Sequence, residues 1–100
     1  MARDITWTES ASDDVVEIAS YIARDSESYA STVVRELIAA VRSLTILAER
    51  GRVVQEYLDP TIRQLLVRDY RVVYQISDST IHVLRIIHGA RLLPPRSPKP

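Results

Sequence analysis

Residues 62–88 read IRQLLVRDYRVVYQISDSTIHVLRIIH, and this stretch decides the fold. It divides into three runs rich in β-branched and aromatic residues: Ile62–Arg68, Arg71–Ser77 and Thr80–His88. Only Asp69–Tyr70 and Asp78–Ser79 separate them. Spacers that short turn a chain straight back on itself, so the three runs are predicted to form an antiparallel meander. Side chains alternate across a strand, which places Arg71 and Val73 on one face and Val72, Tyr74 and Ile76 on the other. The third run is apolar on both faces, the pattern of an inner strand, and Gly89 ends it.

The sheet needs something to cover its apolar face, and the sequence before it supplies two helices. From Ser10 to Arg24, Ala11, Val15, Ile18, Ala19 and Ile22 recur at helical spacing. Asp13, Asp14 and Glu17 lie off that stripe near the helix start, where the macrodipole favours negative charge. Asp25, Ser26, Glu27 and Ser28 then interrupt it with capping residues. A second stripe follows: Ala30, Val34, Leu37, Val41, Leu44 and Ala48, stepping by four and three. Gly51 is predicted to end that helix in the left-handed conformation. So short a link makes the helices antiparallel neighbours. Before them, Ile5 and Trp7 alternate with polar residues in Arg3–Thr8, a short strand, and Thr8 suits an N-cap.

The predicted architecture is α+β: an N-terminal strand, then an antiparallel helical hairpin packed on an antiparallel sheet, in the order β-α-α-β-β-β. One hundred residues allow one domain, placed at 1–91. Four of the five prolines fall in Pro94–Pro100, so 92–100 reads as a proline-rich tail, expected to be mobile. The chain is 46% apolar and 26% charged, which excludes the disordered class. It has no cysteine, which excludes a disulfide scaffold, a thiolate metal site and a thiol nucleophile. No metal or cofactor is expected. Nor is a membrane role: no apolar run approaches the roughly 20 residues of a span, and the N-terminus lacks a signal-peptide pattern. A cytoplasmic protein is the expectation.

Charge is uneven. Residues 1–50 hold five arginines against nine acids; residues 51–100 hold seven arginines and one lysine against four acids. Val72, Tyr74 and Ile76 are predicted to face the helices, leaving Arg71 and Gln75 on an open face, with Arg91 emerging just beyond the inner strand. Two guanidiniums converging there would suit an RNA phosphate or a transition state of growing negative charge. Solvated surface arginines are the plainer reading.

With these elements in place the chain resembles the RelE/ParE toxin superfamily from Trp7 to Arg91. The likeness runs through Trp7-Thr8 leading into Ala11, Asp14 and Ile18, then Tyr21-Ile22, Ser26, Ala30 and Gly51-Arg52. It is strongest at Tyr70-Arg71-Val72-Val73-Tyr74 and Ile86-Ile87-His88-Gly89-Ala90-Arg91. The resemblance implies a toxin of a type II toxin–antitoxin pair, from one of two branches. RelE-like members are ribosome-dependent messenger RNA endonucleases, using arginines that match Arg71 and Arg91, lysines on the preceding strand and a tyrosine near the end. Here the lysine positions hold Ile62 and Gln64, the tyrosine position falls on Ser97, and no tyrosine follows Tyr74. Other nuclease branches pair a glutamate with a histidine, which His88 matches only loosely. His82 and His88 are the only imidazoles available as acid or base.

ParE-like members tolerate these losses. The resemblance implies that they inhibit DNA gyrase without a catalytic site of their own, and this branch is the expectation here. The alternatives are a RelE-like nuclease, with Arg71, Arg91 and His88 as candidates, or an inactive toxin kept as an antitoxin-binding module. In each case the resemblance implies a hetero-oligomer with a cognate antitoxin. That partner would be ParD- or RelB-like, with a ribbon-helix-helix DNA-binding domain and a C-terminal segment that folds across the toxin. Tyr21, Tyr29 and Tyr57 are candidates for lining the groove that receives it.

Overall fold

The structure, a computed structural model, describes residues 2–90. Arg91 and the proline-rich segment 92–100 lie outside the described residues, as does the domain boundary expected at 91. The elements are β1 (Asp4–Trp7), α1 (Glu9–Ala23), α2 (Glu27–Ser43), β2 (Arg52–Val53), β3 (Ile62–Val67), β4 (Tyr70–Ile76) and β5 (Thr80–His88). They form an α+β fold, the helical hairpin lying on one face of a five-stranded sheet of order β1-β5-β4-β3-β2.

Both helices begin where a hydroxyl meets an unpaired amide. Thr8 accepts from the Ala11 amide at 3.0 Å and Ser26 from the Tyr29 amide at 3.1 Å. Caps of this kind contribute about 1 kcal/mol each. The meander pairs as expected, β3 with β4 and β4 with β5, both antiparallel. The β3–β4 turn sits one residue earlier than the sequence suggests, at Arg68–Asp69, because Val67 pairs with Tyr70. Arg68 there adopts a positive φ of 53°, an uncommon conformation for a side chain of its size.

The sheet is mixed rather than purely antiparallel. Strand β1 pairs parallel to β5, with Ile5 opposite Ile81 and Trp7 opposite Val83. Four residues of alternating pattern fit either direction, and the helical crossover decides which one is used. The two-residue β2, absent from the sequence reading, is too short to show a period.

Helix α2 ends at Ser43, earlier than Gly51, and turns at 44–50 continue the path. Leu44 and Ala48 stay buried all the same, so the apolar stripe outlasts the helix. Gly51 does not take a positive φ. It is instead packed so closely that a Cβ would stand 2.5 Å from the Gln64 carbonyl oxygen and 2.6 Å from the Tyr74 hydroxyl. That hydroxyl accepts from the Gly51 amide at 3.0 Å and donates to the Ala48 carbonyl at 2.7 Å. Burial, above all, pushes the Tyr74 hydroxyl pKa up.

The main core gathers Ala11, Val33, Leu37 and Val41 from the helices with Val72, Val83 and Ile86 from the sheet. Val33 takes the fully buried place expected for Val34, which is only half-buried. The opposite face of the sheet is covered, not open. The segment 54–61 folds under it, and Val54 and Tyr57 pack with Ile62, Val73, Ile87 and Leu84 in a second small core. A register shift at Val73/Tyr74, paired with Arg85 and Val83, leaves Leu84 as the extra residue of a bulge. Bulges re-aim neighbouring side chains, and here Leu84 reaches the second core.

Candidate functional site

Three features of the surface are candidates for function, and Arg71 anchors the first. Its strand position aims it away from the helices, as predicted, into the covered face. There it is 7% exposed, and its guanidinium is engaged on each nitrogen. Nε donates to Gln64 Oε1 at 2.7 Å, Nη1 to Glu56 Oε2 at 3.0 Å and Nη2 to Glu56 Oε1 at 2.9 Å. The Glu56 pair is a two-pronged fork, the strongest geometry for such a contact. Arg52, Gln55, Leu66 and Gly89 complete a cleft of about 350 Å³.

Of the catalytic candidates, Arg91 lies outside the described residues, and the other two, Arg71 and His88, are not brought together. His88 points to the helix face, where its ring meets Tyr70 edge-on at 6.0 Å and shares a hollow with Glu17, Ile18 and Tyr21. It therefore lies on the other side of the sheet from Arg71. His82 is on β5 opposite Gln75, whereas Arg71 is opposite Ile87. Gln75 is four residues along β4 from Arg71, about 13 Å at the usual rise. Position 64, one of the lysine positions of the nuclease pattern, supplies a neutral amide to Arg71. Among the described residues no imidazole stands beside the guanidinium, and no three His, Asp or Glu side chains gather as a metal site. Nothing in the sequence marked Glu56: it is one acid in an irregular stretch, and only the fold carries it back beneath β4.

The second feature is a groove of about 570 Å³ where β1 meets the helical hairpin. Ile5, Trp7, Val15, Ile38 and Val41 line it, with Ser12 and Arg42 at the rim. It runs along β1, an edge strand of the sheet.

The third is an aromatic corner where the helical hairpin turns. Tyr21 is 70% exposed and Tyr29 44%, each with an arginine over its ring: Arg24 at 5.7 Å and Arg68 at 5.2 Å. Arg68 also donates to both oxygens of Glu36, at 2.6 and 2.9 Å, and to the Tyr29 hydroxyl at 3.1 Å. These bonds hold the left-handed turn residue against α2. The Arg68 hydrogen bond, first of all, holds the Glu36 carboxyl below the usual carboxylate range. Its stabilising contribution is complete at neutral pH and is lost only as pH falls through that lowered value. The pair is exposed, so salt weakens it. Burial, reinforced by Asp69, Tyr29 and Tyr21, pushes the Tyr70 hydroxyl up. Tyr57 is absent from this corner, being packed on the opposite face. Nearby, Asp14 on α1 receives Arg85 at 2.8 and 3.1 Å and the Ile86 amide at 2.8 Å. The sequence presents Asp14 as a charge suited to a helix start; the fold uses it to tie α1 to β5.

The chain as a whole is similar to known proteins. A family model described as the ParE toxin of type II toxin–antitoxin systems, parDE, matches residues 5–93. The chain belongs to that family. The toxin is 35% identical over 89 residues to the toxin RelE2 of Caulobacter vibrioides, a match covering 88% of this chain and 97% of that relative. Its fold is shared with the chromosomal ParDE TA system from P. aeruginosa, with a TM-score of 0.71 and 21% identity, over 87% of this chain and 96% of that one. It is shared also with the toxin–antitoxin complex RelBE2 from Mycobacterium tuberculosis, with a TM-score of 0.65 and 17% identity, over 88% and 99%. Both likenesses concern the fold. Among the toxin's described residues, no helix is long and apolar enough to cross a membrane.

Proposed function

We propose that this toxin is a ParE-like inhibitor of DNA gyrase with no catalytic site of its own, kept silent by a cognate antitoxin. One observation carries the reading: the arginine expected at a nuclease centre is forked to Glu56, engaging both oxygens of that carboxylate, and among the described residues no imidazole stands beside the pair. Cleavage through a 2′-hydroxyl needs a group to take a proton and another to give one, and such groups supply roughly 10²–10⁴-fold. A guanidinium cannot take that part at physiological pH. The match to the ParE model points the same way on target. The name of the Caulobacter relative, toxin RelE2, favours the nuclease branch as the second reading.

The deciding experiment sets gyrase supercoiling beside codon-resolved cleavage on translating ribosomes. Purified toxin should reduce supercoiling or accumulate cleaved DNA, and leave messenger RNA intact. Ribosomal cleavage that disappears with Arg71→Ala would return the chain to the nuclease branch.

For the antitoxin, the groove along β1 supplies what a folding segment uses: an apolar trough beside a strand edge. Tyr21 and Tyr29 extend exposed aromatic surface at the hairpin turn. A segment that binds only the folded toxin raises its apparent stability, by about 2.7 kcal/mol at a hundredfold excess over Kd. Thermal unfolding followed during titration with the antitoxin's C-terminal segment should show a rising midpoint. Trp7→Ala should weaken that rise, and no rise well above micromolar concentration would remove the antitoxin from the scheme.

A further inference from the structure

An arginine is seldom buried without a partner, and Arg71 is paired in a particular arrangement. Its fork of donors opens into a cleft rather than into packed core, and the acceptor facing it comes from an irregular segment rather than from the sheet. Gln64, by contrast, belongs to β3 and fixes Nε from within the sheet. The guanidinium is thus held in place independently of Glu56. The Glu56 side chain remains 29% exposed while Arg71 is 8% exposed, so the carboxylate forms the solvent side of the pair. Arg52 lines the same cleft, and Gly89 adds no side chain to it.

We propose that Glu56 is a specificity determinant: its carboxylate occupies the seat that a phosphate group would take on Arg71, and so excludes phosphate from the cleft. The planar fork of an arginine accepts a carboxylate and a phosphate in the same two-pronged manner. An internal acid at this seat has no translational freedom to lose, so it outcompetes an external anion of similar intrinsic affinity. It also repels a phosphate electrostatically, since like charges brought together in an interface are costly. Removing its charge leaves Arg71 held by Gln64, with Arg52 beside it, as a cationic seat for a phosphate. Phosphate binding in the cleft is a readout separate from gyrase inhibition, so either can fail without the other.

The test uses the full chain and its Glu56→Gln variant, each checked for an intact melting transition. Two probes separate the sources of phosphate: inorganic phosphate, and a short fluorescein-labelled single-stranded RNA with an uncharged methylphosphonate version as control. Glu56→Gln should bind the phosphate-bearing probes at least about tenfold more tightly than the parent, without cleaving the RNA. Arg71→Ala added to Glu56→Gln should abolish the gain. Equal affinity in parent and Glu56→Gln overturns the proposal, as does a gain that survives Arg71→Ala or extends to the methylphosphonate strand. If Glu56→Gln does not fold, the parent alone decides through the NMR resonance of Arg71 Nε–H. An unmoved signal at millimolar phosphate agrees with exclusion, and a titrating one refutes it.

Discussion

Replacing Leu37 with alanine should lower stability by about 2–5 kcal/mol, the cost of deleting a large side chain where the surroundings only partly collapse. Leu37 is fully buried between α2 and the sheet, in the same cluster as Val33, Val41, Val72 and Ile86. A domain of this size holds about 5–15 kcal/mol in all. Each kcal/mol moves the midpoint by about 4–8 °C, so the melting curve should fall by roughly 10 °C or more. Circular dichroism during heating is sufficient to see it. An unchanged midpoint would mean that α2 does not pack where the structure puts it.

Gly51→Ala should be comparably damaging, at about 3 kcal/mol, although it adds only one methyl group. That methyl would meet the backbone carbonyl of Gln64 and the Tyr74 hydroxyl at distances no Cβ tolerates. One escape is for the Tyr74 ring to withdraw, leaving the Gly51 amide and the Ala48 carbonyl without their buried partner, at about 1–3 kcal/mol for each unsatisfied group. The other is for β3 to shift, with an overpacking cost of about 1–3 kcal/mol or more. Gly51→Asn separates this account from the helix-ending role that the sequence suggests. Asparagine tolerates a left-handed conformation, so it would be the milder change if φ were the constraint. With space as the constraint it should be the worse of the two. Urea denaturation of both variants reads the difference, and a milder Gly51→Asn contradicts the close-approach account.

The same residue shows how far a sequence can be read. A glycine after a helical stripe has two uses, a positive φ or a close approach, and the letters do not distinguish them. Gly51 serves the second, because the chain returns from β3 and β4 to press Gln64 and Tyr74 against it. Likewise Leu44 and Ala48 read as helix because their spacing persists through turns that bury the same side. Val33 and Val34 are adjacent on α2, and only the tilt of that helix on the sheet chooses between them.

At the candidate site, the faces of β4 were legible: Arg71 does point away from the helices, since alternation within one strand is local. That His88 faces the other way follows from its pairing with Tyr70, and a bulge at Leu84 intervenes between it and the start of β5. Such a slip flips every following side chain and leaves little trace in composition.

By itself the sequence determined what depends on neighbours a few residues apart. These are the helix caps at Thr8 and Ser26, the amphipathic stripes, the meander with its tight links, and hence the α+β class. Its ordered motifs also led to the toxin family. The tertiary structure alone decided the parallel pairing of β1 with β5, the covering of the far face by 54–61, and the fork between Glu56 and Arg71. Those contacts join residues whose separation along the chain carries no periodic signal. They form because burying the second face of the sheet and satisfying a buried guanidinium each demand a partner, and chain geometry limits which residue arrives.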